Sequence, residues 1–153
     1  MSGCIILVIF LSLGIAGSND FEKISGFNLS DLNGISLDLN VYKDEKSVLM
    51  LFWTTWCPYC RESLIALNDD YKRLEKEGIE VIAVNIQESS SRVSRFMKKY
   101  NLFLRIILDE DAQLAKDYRV IGIPTYLLMN KKGDIVFKGN RFPEDSYRDL
   151  ISD

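Results

Sequence analysis

The stretch LFWTTWCPYCRES, Leu51 to Ser63, sets two of the chain's three cysteines three residues apart, behind a run of aromatics. The segment leading into it, SVLMLFW from Ser47 to Trp53, is nearly continuous in apolar residues and of strand length, as a parallel strand covered on both faces would be. Beyond the cysteines, Leu64, Leu67, Tyr71 and Leu74 recur at three- and four-residue steps, which predicts a helix from about Pro58 to Glu77, ended by Gly78. Cys57 then falls just before a helix N-terminus. Unpaired N–H groups and the helix dipole favour negative charge there and lower a thiol's pKa, and the thiolate is the nucleophile of disulfide exchange. The expectation is an exposed, activated Cys57, with Cys60 one turn inside and close enough to attack a mixed disulfide formed at Cys57. Pro58 suits the first helical turn, where its missing N–H costs nothing. A C-x-x-C pair also occurs in metal knuckles and static disulfides, and its placement between a buried strand and a helix is what favours redox chemistry.

Working outward, IEVIAVNI (Ile79 to Ile86) reads as a second buried strand and closes a β-α-β unit. A second unit follows. Val93, Phe96, Met97 and Tyr100 mark a helix after Ser89, LFLRIIL (Leu102 to Leu108) reads as a strand, and Ala112 to Tyr118 as a short helix opened by Asp109, Glu110 and Asp111. TYLLMN and DIVFKG flank Lys131-Lys132-Gly133 as a hairpin pair, and Tyr147, Leu150 and Ile151 suggest a closing helix. Upstream, FNLSDLNGISLDLN alternates about Asn33-Gly34, a dipeptide suited to a two-residue turn with φ > 0, and predicts an N-terminal β-hairpin. Alternating β and α with a final antiparallel pair means an α/β fold, a mixed sheet between helices.

Composition narrows the chemistry. The 22 acidic and 19 basic side chains give a net charge of −3 with the cations scattered, so nucleic-acid binding has no electrostatic footprint. The chain has no histidine, which excludes serine-type and papain-type triads and removes the commonest metal ligand. One C-x-x-C and a distant Cys4 cannot make a four-ligand zinc site within a monomer, so neither a metal nor any other cofactor is expected; a dimer-bridging zinc or iron–sulfur site is the alternative left open.

The N-terminal run CIILVIFLSLGIAG, Cys4 to Gly17, carries no charge. It is short for a bilayer span, which wants about 20 residues, and resembles the apolar core of an export signal with small residues near Ala16 and Gly17, although MSGC lacks the usual Lys or Arg. Residues 1–18 are therefore expected to be a signal peptide or a short membrane anchor, and 19–153, about 135 residues, one domain.

With these residues in place, FWTTWCPYC resembles the active-site segment of thioredoxin-fold proteins, and GIPTYLLMN (Gly122 to Asn130) is similar to that family's cis-proline loop. The lead-in strand pair, the helix and strand inserted between Asn85 and Asp109 and the signal-like start resemble one branch, the TlpA/ResA-like extracytoplasmic thiol-disulfide oxidoreductases, from about Phe27 to Ile151. The resemblance implies a thioredoxin-like three-layer fold with an N-terminal β-hairpin and a central helix–strand insertion. It implies Cys57 as attacking cysteine, Cys60 as resolving cysteine, and a substrate groove shaped by Pro124, Ile123, Trp56, Pro58 and Tyr59. Trp53 matches a family aromatic beside the site or is core packing. Three positions depart from the pattern: Leu51 replaces a buried Asp, Ser63 replaces a Glu with Glu62 one residue earlier, and Ile65 replaces a helix-kinking Pro.

The expected activity is reduction of disulfides in protein substrates outside the cytoplasm, maintained by a membrane-bound electron donor. The substrate stays open between an apocytochrome, as in cytochrome c maturation, another oxidoreductase and a broad set. The alternatives are a disulfide oxidant or isomerase, since Pro58-Tyr59 matches the glutaredoxin pair, and a non-catalytic binding module, which would need neither thiol.

Overall fold

The computed structural model describes residues 29–152. Among these, the elements run β1 (Ser30–Asp31), a 3-10 turn (Leu39–Tyr42), β2 (Ser47–Trp53), α1 (Pro58–Lys76), β3 (Ile79–Ile86), α2 (Ser90–Tyr100), β4 (Arg105–Asp109), α3 (Gln113–Asp117), β5 (Thr125–Met129), β6 (Ile135–Gly139) and α4 (Glu144–Ser152). The strands form one sheet in the order β1-β4-β3-β2-β5-β6. β2, β3 and β4 are parallel, while β1, β5 and β6 run against their neighbours.

Every residue of β2 is buried because successive side chains enter opposite cores. Leu49, Leu51 and Trp53 pack with Leu64, Leu67 and Leu74 of α1, Val93 and Met97 of α2, and Tyr147 of α4. Val48, Met50 and Phe52 pack with Leu114 and Ala115 of α3, Tyr118 and the N-terminal Leu29, Leu37 and Leu39. Helices on one face and a helix with the lead-in segment on the other make the three-layer, thioredoxin-like α/β fold that the resemblance implied.

Register brings three loops together at one end of the sheet. Phe52 lies opposite Thr125 across an antiparallel pair, so the residues just before Thr125 run beside those just after Phe52. Trp53 lies opposite Asn85 across a parallel pair, so the segment after β3 also runs beside the segment after β2. The β2–α1, β3–α2 and pre-β5 loops therefore converge.

Four local expectations need correction. The N-terminal hairpin shrinks to β1 and a single bridge from Ser30 to Ser36, with β1 pairing mainly to β4. Its turn is not a two-residue one: Gly34 N–H returns to Asp31 O, only Gly34 takes positive φ (79°), and Asp31 Oδ1 accepts from the amides of Asn33 and Ile35. The β5–β6 turn repeats this design, with Asn130 in place of Asp31 and Gly133 in place of Gly34. An Asx side chain bonding amides further along the turn, plus a glycine at positive φ, specifies a longer loop than the Asn-Gly pair alone suggests.

β4 begins at Arg105 rather than Leu102. Asn101 closes α2 in the left-handed region, the Leu102 amide returns to Met97 O, and the Phe103 amide donates to Asn68 Oδ1. Leu102 and Leu104 are buried nonetheless, so their apolar character serves the connection and not the sheet. α3 covers only Gln113–Asp117, with Ala112 left-handed before it. The acids act from outside: Asp109 accepts from the amides of Leu114 and Ala115, and Asp111 from Gln113. In α4, Tyr147 is buried while Ile151 stays exposed.

The N-terminal signal or anchor, Cys4 and the outer part of the expected hairpin fall outside the described residues. Among the described residues no helix is long and apolar enough to cross a membrane.

Candidate active site

Cys57 and Cys60 form a disulfide with a Cα–Cα distance of 5.2 Å. Cys57 is the N-cap of α1 in extended conformation (φ −89°, ψ 112°), and Pro58 follows at the start of the helix. The cap's acceptor is sulfur: the Cys60 amide donates to Cys57 Sγ at 3.1 Å, and the Arg61 amide returns to Cys57 O at 3.2 Å. This bond places the Cys57 sulfur where a helix N-terminus stabilises negative charge.

The expected exposure of Cys57 is corrected. It keeps 5% of its surface and Cys60 keeps none. Cys57 Sγ sits 4.0 Å from the Ile123 carbonyl oxygen, and both cysteines belong to the core that holds Trp53, Leu64 and Tyr126. The facing loop covers the sulfur that a lone helix end would leave open.

That loop is the one expected from the sequence. The Ile123–Pro124 peptide is cis, Pro124 is buried and Ile123 partly so. It is tied down twice: the Thr125 hydroxyl donates to Gly122 O at 2.6 Å, and Asn140 Nδ2, just past β6, donates to Pro124 O at 2.9 Å.

Exposed apolar groups surround the disulfide. Trp56 is 68%, Tyr59 73% and Ile121 99% exposed, and Pro58 is also at the surface. Two clefts flank the loop. One, of about 410 Å³, is lined by Trp56, Glu88, Arg92, Ile121 and Ile123 among others. The other, of about 480 Å³, is lined by Tyr59, Glu62, Ser63, Pro124, Tyr126 and Arg141 among others. Trp53 is not part of this surface. It is wholly buried with its ring 5.1 Å from that of Phe96, so core packing is its role.

The three departures fall as follows. Leu51 is fully buried in the core shared with the cysteines and offers no proton. Ser63 meets Tyr126: burial pushes the Tyr126 phenol above its ordinary value, and the Ser63 hydrogen bond pulls against that shift. Ile65 is surface-exposed on an uninterrupted α1 of 19 residues.

Sequence reading missed Glu88, Asn140 and Ile121. Glu88 is nine-tenths buried, and its carboxylate accepts from the Thr55 amide and hydroxyl, each at 2.6 Å, and from Asn85 Nδ2 at 2.9 Å. The available signal was an acid between the end of a buried strand and the Ser89 that precedes α2.

Comparison with known proteins agrees with this geometry. Residues 22–138 match the model of the AhpC/TSA family. The chain is 34% identical to the thiol-disulfide oxidoreductase ResA of Bacillus subtilis (strain 168), over 86% of this chain and 79% of that protein. It is 31% identical to the ResA of Geobacillus kaustophilus (strain HTA426), over 99% and 94% respectively. Among solved structures, StoA from Bacillus subtilis superposes with a TM-score of 0.66 at 25% identity, over 83% of this chain and 96% of that one. A secreted Mycobacterium tuberculosis disulfide oxidoreductase shares the fold with a TM-score of 0.69 at 19% identity, over 86% and 98%. The helix-capping disulfide, the loop facing it and these likenesses together mean that the chain belongs to the AhpC/TSA family, as a ResA-like thiol-disulfide oxidoreductase.

Proposed function

We propose that this protein reduces disulfides of other proteins outside the cytoplasm, with Cys57 attacking and Cys60 resolving. The observation that carries the reading is the Cys60 amide on Cys57 Sγ at the start of α1, beneath the Ile123 carbonyl. In the reduced protein the Cys57 thiolate attacks one sulfur of a substrate disulfide. An S–S bond forms between Cys57 and the substrate, and the other substrate sulfur leaves as a thiolate that takes a proton. The Cys60 sulfur, after losing its proton, attacks Cys57 Sγ, forms the intramolecular disulfide and releases the second substrate thiol. Two electrons and two protons pass to the substrate, and the Cys57–Cys60 pair is oxidised.

Ile123 offers main-chain groups to an extended substrate segment, Pro124 shapes the groove, and Trp56, Pro58 and Tyr59 form its exposed apolar wall. The direction follows from how the thiolate is held. Strong oxidants stabilise their reduced form. Here the Cys57 sulfur, disulfide-bonded in this structure, has the Cys60 amide to stabilise it once reduced, and the chain has no histidine to place an imidazolium beside it. That modest stabilisation supports a potential nearer the thioredoxin value of about −270 mV than the value of about −120 mV of a strong oxidant.

Residues 1–18 act as export signal or membrane anchor, 19–153 as the catalytic domain, and a membrane thiol donor returns the pair to the dithiol state, which an oxidising compartment would otherwise deplete. Cytochrome c maturation is one process that would use such a reductant. Equilibration of the purified domain against dithiothreitol or glutathione buffers measures the potential. A value near −270 mV is expected; one above about −160 mV makes the protein an oxidant and overturns the direction.

A further inference from the structure

The β2–α1 loop that delivers Cys57 to its helix has few ties of its own. After Trp53 the sheet ends, and within the loop the Cys57 amide reaches Thr54 O only at 3.4 Å. What holds its middle is Glu88. One carboxylate oxygen accepts from the Thr55 amide and from Asn85 Nδ2, and the other accepts from the Thr55 hydroxyl, with the Arg92 guanidinium 3.6 Å away. The carboxylate side chain is only 4% exposed, so these bonds are shielded from competing water.

Glu88 itself stands on a fixed base. Gln87 before it takes the left-handed region (φ 56°) and donates its amide to Asp109 O at the end of β4. Ser89 after it opens α2, accepting from the Arg92 and Val93 amides. The loop is thus referenced to β3, β4 and α2, three elements that make no bond to the sulfurs.

We propose that Glu88 is a positioning residue for the exchange reaction: by gripping the Thr55 amide and hydroxyl, it fixes the loop that presents Cys57 Sγ to the first turn of α1. The requirement is geometric. The Cys57 sulfur meets the Cys60 amide only if the cap residue keeps its extended conformation, and Thr55 lies two residues before it. The Thr55 hydroxyl can accept as well as donate, so a glutamine at position 88 can keep its carbonyl oxygen on the Thr55 amide and turn its NH₂ to that hydroxyl, whereas an alanine removes the grip entirely. The inference rests on Cys57 being the attacking thiol.

Two effects of removing the carboxylate have opposite signs, which makes the test decisive. Loss of a nearby anion by itself favours the thiolate and lowers the Cys57 pKa. Loss of the grip misaligns the Cys60 amide and raises it. The experiment measures iodoacetamide alkylation of reduced full-length protein against pH, with mass-spectrometric mapping of the labelled cysteine, alongside urea unfolding. In E88A the Cys57 pKa is expected to rise, and its labelling rate at mildly acidic pH to fall roughly threefold to tenfold per folded molecule. T55V, which removes only the hydroxyl, is expected to move in the same direction by less, and T55S to recover most of the rate. If E88A does not fold, the T55V and T55S pair decides. A Cys57 pKa that falls in E88A shows a field effect and overturns positioning; reactivity unchanged in both E88A and T55V, with stability alone reduced, overturns it as well. Labelling of Cys60 first in the parent protein would instead sink the assignment of Cys57.

Discussion

The Cys60 amide donates to the sulfur of Cys57 across 3.1 Å, so the second cysteine of the pair stabilises the first through its backbone. Replacing the Cys60 side chain leaves that amide in place. Cys60→Ser should therefore keep a reactive Cys57, with a pKa close to the parent's, while abolishing turnover with protein disulfides. Thiolate absorbance as a function of pH, and a disulfide-reduction assay, check the two halves separately.

Asn140 fastens the loop on the other side of the sulfur, donating to Pro124 O at 2.9 Å. Asn140→Ala removes a half-buried hydrogen bond of a kind worth about 0.5–1.5 kcal/mol and should lower stability by no more than that. The larger effect should be on substrate docking, as a KM for a protein disulfide raised roughly twofold to fivefold with kcat little changed. Steady-state kinetics with a reduced-protein recycling system would show it.

Ile121 projects fully into solvent beside Trp56 and the nearer cleft. An isoleucine without core contacts adds nothing to folding, so Ile121→Ser should alter stability by less than about 0.5 kcal/mol. It should weaken exchange with protein substrates severalfold while leaving reduction of a small disulfide such as oxidised glutathione near the parent rate. Equal loss with both substrates would remove Ile121 from the docking surface.

Asp109 gives a pH prediction remote from the sulfurs. Burial pushes its carboxyl above the ordinary carboxylate value, against the pull of the Ala115 and Leu114 amides. Between the unfolded and the raised folded pKa the native state binds more protons than the unfolded state, so this group's contribution to stability falls as pH rises through that window. Asp109→Asn, which does not titrate, should therefore gain on the parent with rising pH, whichever is more stable at the acid end. Urea midpoints for both proteins across the weakly acidic range check the sign, and a gap that moves the other way contradicts it.

How much of this was legible in the sequence follows from what each segment buries. β2 and β3 were readable to the residue because strands covered on both faces need a nearly continuous apolar run, broken here only by Ser47, Glu80 and Asn85. α1 was readable because Pro58 and Gly78 bracket it. Leu102–Leu104 misled because an apolar connection packed in the core looks like strand, and Ala112 because a left-handed residue carries no signature when it is alanine. At the site, the cysteines and the Ile123–Pro124 loop announced themselves by motif. The near-complete cover on Cys57 did not, since it depends on the register of β5 against β2. Glu88 was invisible for the same reason: its partners lie 33 residues away at Thr55, and only the pairing of Trp53 with Asn85 brings them together.

Trapping of a substrate on one cysteine and not the other tests the attack order most directly. Cys60→Ser and Cys57→Ser, expressed in the protein's own host, are compared on non-reducing gels, and adducts are identified by mass spectrometry. With Cys57 as nucleophile and nothing left to resolve its mixed disulfides, Cys60→Ser should accumulate adducts joined through Cys57 that collapse with reductant, and Cys57→Ser should accumulate none. The same partners trapped on Cys60 in Cys57→Ser, with none in Cys60→Ser, would contradict the assignment of the two sulfurs.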